Sequence, residues 1–123
     1  IENFLQFESE TFHALAGSAN FFFPAMLGGS IGGTISLANS FPKIAIDLFE
    51  CGRARDEARG VPLQEKVTRV NKAISGAYGV AGVKAAMKLG EFEGGIPRRP
   101  LLPLTPEQFE SLRQTLAGEG MIE

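Results

Sequence analysis

The 123-residue chain has a single cysteine, Cys51, so it cannot close an internal disulfide, which favours a reducing compartment. The sole histidine, His13, is remote from Cys51 in sequence, and a packed structural thiol is the plainer reading of that cysteine. His13 has no Cys, Asp or Glu at ligand spacing, so a hydrogen-bonded strand histidine is expected rather than a metal centre. A net charge of -2, with no stripe of Lys or Arg, leaves no electrostatic footprint for nucleic acid. The basic opening of a signal peptide is also missing, since Glu2 and Glu8 occupy its place. Cytoplasm or mitochondrial matrix is therefore expected, not secretion. The first residue is Ile1 rather than Met, which reads as a fragment or a processed product.

One local absence matters more than these. Residues 11–42 contain no Asp, Glu, Lys or Arg, while charges are scattered freely through the chain after them. Three readings compete for this stretch. It is long enough for a transmembrane helix, which needs about twenty apolar residues, and Gly28-x-x-x-Gly32 mimics a helix-pairing spacing. A membrane protein spanning 21–41 is the resulting alternative. Against it stand Asn20, Asn39, Ser40, the internal glycines and a periodicity that changes twice. GGSIGGT suggests a phosphate cradle, but no lysine follows Gly33 and the glycines precede a strand instead of following one. Two buried strands with a helix between them fit best.

What is present supports that choice. Residues 1–7 read as the tail of a helix, 12–16 as a buried strand, 21–27 as a helix and 32–37 as a second strand. Pro42 opens a helix over 41–51, with Gly52 just past its end. Strand, helix, strand, helix with tight connections is the signature of a parallel sheet. The remainder reads as helical. A helix starting at Arg53 is expected to be interrupted or kinked by Gly60-Val61-Pro62. Leu63, Val67, Val70 and Ile74 then form an amphipathic face over 63–75. Residues 76–82 read as a loop, 83–89 as a short helix and 91–103 as irregular. Thr105-Pro106-Glu107-Gln108 is a strong helix start, and that helix ends near Gly118. An autonomous helical interaction module from Phe41 onward is a third alternative.

Few side chains suggest chemistry. Lys84, in the apolar setting GVKAAM, is either a nucleophile with a depressed pKa or, as the commoner case, a helical lysine with its head in water. Tyr78 reads as a packing or interface residue, and Arg98-Arg99 as surface partners of carboxylates. Gly17-Ser18 is the remaining candidate. Ligands in parallel α/β folds bind at the C-terminal ends of strands, and Gly17 would let a substrate approach the backbone there. The following helix N-terminus favours a carboxylate, and Thr34 on the second strand could line the same cavity.

LAGSANFFFPAMLGGSIGGTISLANSFP, GVAGVKAAMKLGEFEGG and RRPLLPLTPEQFESLR, in that order, resemble the C-terminal part of the dihydrodipicolinate synthase/N-acetylneuraminate lyase family of class I aldolases. The nearest branch is 4-hydroxy-2-oxoglutarate aldolase. The resemblance implies the last two strands and helices of an eight-stranded (β/α)8 TIM barrel in residues 1–52, with a C-terminal helical extension in 53–123. The whole is α/β in class and mostly α by residue count. It places the substrate-contacting glycine after strand seven on Gly17, and the usually aliphatic pocket position of strand eight on Thr34. It implies a homotetramer acting on a 2-oxo acid such as pyruvate, without metal or organic cofactor. Alternatives within the family are a dihydrodipicolinate synthase-type enzyme and a 2-keto-3-deoxy sugar acid aldolase. The Schiff-base lysine and relay tyrosine of the family would lie upstream of Ile1, so no catalytic residue is assigned here, and Lys84 and Tyr78 are not promoted to those roles. Two barrel strands alone leave an open edge, which predicts poor solubility or self-association in isolation.

Overall fold

Two very short parallel strands set the frame. In the computed structural model, which describes residues 1–123, β1 (Leu15–Ala16) lies beside β2 (Gly32–Gly33), with Leu15 opposite Gly32 and Ala16 opposite Gly33. A parallel pair requires a crossover. Here it is a 3₁₀ turn (Ala19–Phe21) followed by α2 (Phe22–Leu27), whose Phe22, Phe23, Ala25 and Met26 are buried. A single turn, α1 (Glu2–Leu5), precedes the pair.

The strands expected over 12–16 and 32–37 are thus cut to two residues each. Each strand has one partner only, and pairing ends where the Thr34 N–H donates to the Ala16 carbonyl at 2.8 Å. Leu37 is not in a strand: it opens α3 (Leu37–Ser40) and is buried there by helix packing. A short apolar run does not by itself distinguish these two ways of being buried.

α4 (Pro42–Ala54) starts at Pro42 as expected but runs through Gly52, and Arg55 in the left-handed region (φ 53) ends it. α5 (Glu57–Asn71) begins at Asp56, whose carboxylate accepts the Arg59 N–H at 3.2 Å. The expected interruption at Gly60-Val61-Pro62 does not occur. Pro62 lies inside α5, past its first turn, and removes one backbone hydrogen bond there. Gly60 lies against the Phe23 ring, so a Cβ at this position would run into that ring.

The loop expected over 76–82 is shortened to a kink. A π-turn (Lys72–Gly76) leads into α6 (Ala77–Leu89), which consists of two helical pieces joined at Gly79 (φ 55, ψ -138), where the backbone leaves helical geometry. Burial of Ile74, Gly82 and Val83 holds this segment to the core despite its glycines. α7 (Pro106–Gly118) opens with the expected capping box, in which Thr105 and Gln108 exchange hydrogen bonds, and it buries Leu112 and Leu116.

One apolar cluster runs through all of this, from Ala16, Phe23 and Leu48 to Val67, Ile74 and Leu116. The chain is mostly helical by residue count, as expected. No helix is long and apolar enough to cross a membrane, and the candidate span 21–41 is divided among α2, β2 and α3.

Candidate functional site at the sheet edge

The register of β1 and β2 brings the two candidate site residues together. Gly17 follows Ala16 and Thr34 follows Gly33, and Ala16 and Gly33 are partners, so Gly17 and Thr34 share the C-terminal edge of the pair. Both are exposed. A Cβ built on Gly17 would meet nothing within 4 Å, so the backbone there faces open space. Ser18 turns the chain immediately afterwards, its hydroxyl accepting the Asn20 N–H at 3.2 Å.

The helix N-terminus that follows is less free than expected. The Phe23 N–H donates to Gln64 Oε1 at 2.8 Å, so α5 has taken that donor. Gln64 is buried, and its amide nitrogen donates to the Ala19 carbonyl at 2.8 Å and to Thr68 Oγ1 at 2.9 Å. Thr68 donates in turn to the Asn20 carbonyl at 3.4 Å, and Asn71 Nδ2 to Asn20 Oδ1 at 2.9 Å. Gln64, Thr68 and Asn71, all on α5, therefore hold the loop after β1. Gln64 is not among the residues that the sequence singles out. Its one signal there is its place a turn before Val67, close to the apolar stripe of α5.

Both flanks of the strand pair are open and apolar. A hollow of about 360 Å³ beside β1 is lined by Phe4, Phe12, Leu15, Gly17 and Phe21 among others. Another of about 430 Å³ beside β2 is lined by Phe22, Ile35, Ile46 and Phe49 among others. Neither lining includes a lysine.

The other candidates lie apart from this edge. His13 Nδ1 meets Glu8 Oε2 at 3.1 Å, before the N-terminal end of β1. Glu8 also accepts the Ala14 N–H, and that bond first, then His13, holds its carboxyl below the usual range. Cys51 is buried and unpaired, and Tyr78 packs half-buried against the core. Lys84 Nζ donates to the Gly94 carbonyl at 2.5 Å. Arg98 and Arg99 are exposed, and the expected carboxylate pairing is not formed: the arginine ion pairs are made by Arg53, Arg59, Arg69 and Arg113. The GGSIGGT segment is a turn closed on itself. The N–H groups of Gly28, Gly29 and Ser30 bond to carbonyls of α2, and Ser30 Oγ lies 2.7 Å from the Ala14 carbonyl oxygen and 2.8 Å from that of Gly32. Those donors face the protein, not a phosphate. No cluster of three His, Cys, Asp or Glu side chains is placed to hold a metal ion.

Comparison with known proteins gives this arrangement a context. The family model described as the dihydrodipicolinate synthetase family matches residues 1–118. An uncharacterised DapA-like lyase of Halobacterium salinarum is 32% identical over 108 residues, covering 88% of this chain and 36% of that protein. An L-threo-3-deoxy-hexylosonate aldolase of Aspergillus niger is 28% identical over 110 residues, covering 89% of this chain and 32% of that protein. Among solved structures, a dihydrodipicolinate synthase from Thermus thermophilus, itself described as putative, superposes with a TM-score of 0.79 at 27% identity, covering 99% of this chain and 44% of that one. The chain thus spans less than half the length of each of these relatives.

Proposed function

The chain belongs to the dihydrodipicolinate synthetase family, and from that premise we propose that it forms the substrate-side wall contributed by the last strands of a class I aldolase barrel. Residues 1–52 are the barrel part and 53–123 the helical extension. The observation that carries this reading is the parallel register, which sets Gly17 beside Thr34 at the C-terminal edge where such sheets bind ligands. The exposed apolar flanks of β1 and β2 are the surfaces on which the rest of a barrel would pack.

In this reading the substrate is a 2-oxo acid. A lysine amine supplied from outside these residues condenses with its carbonyl, expelling water. The imine then receives the electron pair of the breaking carbon–carbon bond as a pyruvate enamine, and a tyrosine, also from outside, moves the proton. Gly17 lets the substrate lie against the backbone, and Thr34 presents a hydroxyl that an aliphatic residue would not. The first substrate to test is 4-hydroxy-2-oxoglutarate, cleaved to pyruvate and glyoxylate. The relatives' names divide between an aldolase and a synthase, so a dihydrodipicolinate synthase-type condensation and a 2-keto-3-deoxy sugar acid cleavage are the other activities to assay. The assembled enzyme is a homotetramer.

The test joins these 123 residues to the segment encoded upstream of Ile1 and treats the product with borohydride. Inactivation that requires pyruvate is expected for the joined protein, and neither turnover nor labelling for residues 1–123 alone. Pyruvate-dependent labelling of Lys43, Lys66, Lys72, Lys84 or Lys88 would sink the reading. Within the joined protein, Gly17→Ala should raise the KM for the 2-oxo acid about tenfold or more, the usual cost of an added methyl group in a tight pocket. In residues 1–123 alone the same substitution should leave thermal stability unchanged, because there the new Cβ meets no protein atom.

A further inference from the structure

Another hollow, of about 320 Å³, lies away from the sheet edge, between α6, the connector 91–104 and α7. Its size is at the lower end for ligand pockets, which run roughly 300–1,000 Å³. Ile96, Leu104 and Phe109 give it apolar walls, and Lys84 and Lys88, one turn apart on α6, also line it. Lys84 is held there by its bond to the Gly94 carbonyl, which uses one of its three donors. Lys88 Nζ stands 5.8 Å from the centroid of the Phe109 ring. Neither amine has a carboxylate partner: the lysine ion pair in the structure is Lys43 with Asp47, and the others are made by arginine or histidine. The one acid on the wall, Glu93, turns Oε1 to the Gly95 N–H at 3.1 Å.

Two cations against one engaged carboxylate leave a net positive charge beside an aromatic ring. The connector is pinned close to α6, since a Cβ on Gly94 would stand 2.7 Å from the Lys84 carbonyl oxygen. From this geometry we propose that the hollow binds a small organic monoanion, a carboxylate carried on a flat or branched apolar body. The carboxylate accepts from Lys84 and Lys88, and the body lies on Phe109, Leu104 and Ile96. Phosphate satisfies the amines and leaves the apolar wall uncovered, while a neutral molecule of the same shape does the reverse. The site is independent of the proposed aldolase activity, because none of its residues lies at the sheet edge.

Equilibrium dialysis of the 123-residue chain against labelled benzoate tests it directly and tolerates self-association. Saturable binding at about millimolar benzoate is expected for a ligand of this size, with benzyl alcohol and inorganic phosphate competing poorly. Lys88→Met keeps the bond from Lys84 to Gly94 and should weaken benzoate about tenfold by removing one charge-assisted contact. Lys84→Met should weaken it at least as much. Because that variant also releases the connector, its circular dichroism spectrum and unfolding midpoint are measured beside its binding, and Lys88→Met alone decides the matter where it unfolds. The proposal is overturned by any of three results: no saturable benzoate binding, competition by benzyl alcohol or phosphate equal to that of unlabelled benzoate, or unchanged affinity in Lys88→Met.

Discussion

Phe23→Ala is expected to destabilise the chain by about 3–5 kcal/mol, the range for truncating a buried phenylalanine. Phe23 is 2% exposed and its ring lies beneath Gly60, so it packs α2 against α5. Alanine here loses the burial of the ring and leaves a cavity that two helices must close to fill. Gly60→Ala attacks the same contact from the other side, by forcing a methyl group into the ring, and should cost about 1–3 kcal/mol by overpacking. The pair makes a sharper test than either substitution alone. In Phe23→Ala/Gly60→Ala the new methyl group occupies part of the space the ring vacates, so the double variant should be less destabilised than the sum of the two. Urea unfolding of the four proteins measures this coupling. Simple additivity would show that ring and glycine do not meet.

That contact also shows what the sequence hides at Gly60-Val61-Pro62. Read locally, a glycine and a proline within three residues break a helix. Gly60 is instead the point where the ring of Phe23, far away in the chain, comes against α5, and nothing in the structure explains Pro62 inside that helix. The glycines of 76–82 suggest a loop, and the structure shortens it to a kink at Gly79, with Ile74 and Val83 buried on either side of the segment. By contrast, the Thr105–Gln108 capping box and the start at Pro42 are legible, because a cap is made by neighbours three residues apart. The uncharged stretch 11–42 is legible as two parallel strands with a helix between them, yet their burial and length are not: only Ala16 and Gly32 of the paired residues are buried, and strand length depends on which partners are paired. Of the site, the sequence and its family resemblance single out Gly17 and Thr34. Their position side by side needs the register, and the donor that Gln64 takes from α2 needs the packing of α5.

Gln64 provides the second large expected effect. Gln64→Leu preserves volume and apolar packing, so no cavity forms, but it removes both partners that the loop after β1 depends on. The Phe23 N–H loses its acceptor and the Ala19 carbonyl its donor. Each buried polar group left unpaired costs about 1–3 kcal/mol, so a combined loss of about 2–6 kcal/mol is expected in urea unfolding. Gln64→Glu separates the two bonds. A carboxylate still accepts from Phe23 but sets a second oxygen against the Ala19 carbonyl, where only a protonated carboxyl can donate. Burial and that carbonyl both favour the neutral form, so the folded pKa of the introduced carboxyl is raised above its unfolded value. Its stabilising contribution is therefore fully present below the unfolded value, about 4.3, and is lost as pH rises through the folded pKa. Gln64→Glu should unfold at progressively lower urea, relative to the parent chain, as pH rises above about 4.3, while Gln64→Leu keeps a constant offset. A flat difference for Gln64→Glu, or a Gln64→Leu variant within about 0.5 kcal/mol of the parent, the range of an ordinary surface substitution, would mean that α5 does not hold this loop. Gly17 begins that loop, so the same substitution carries the damage to the edge where the 2-oxo acid is proposed to bind.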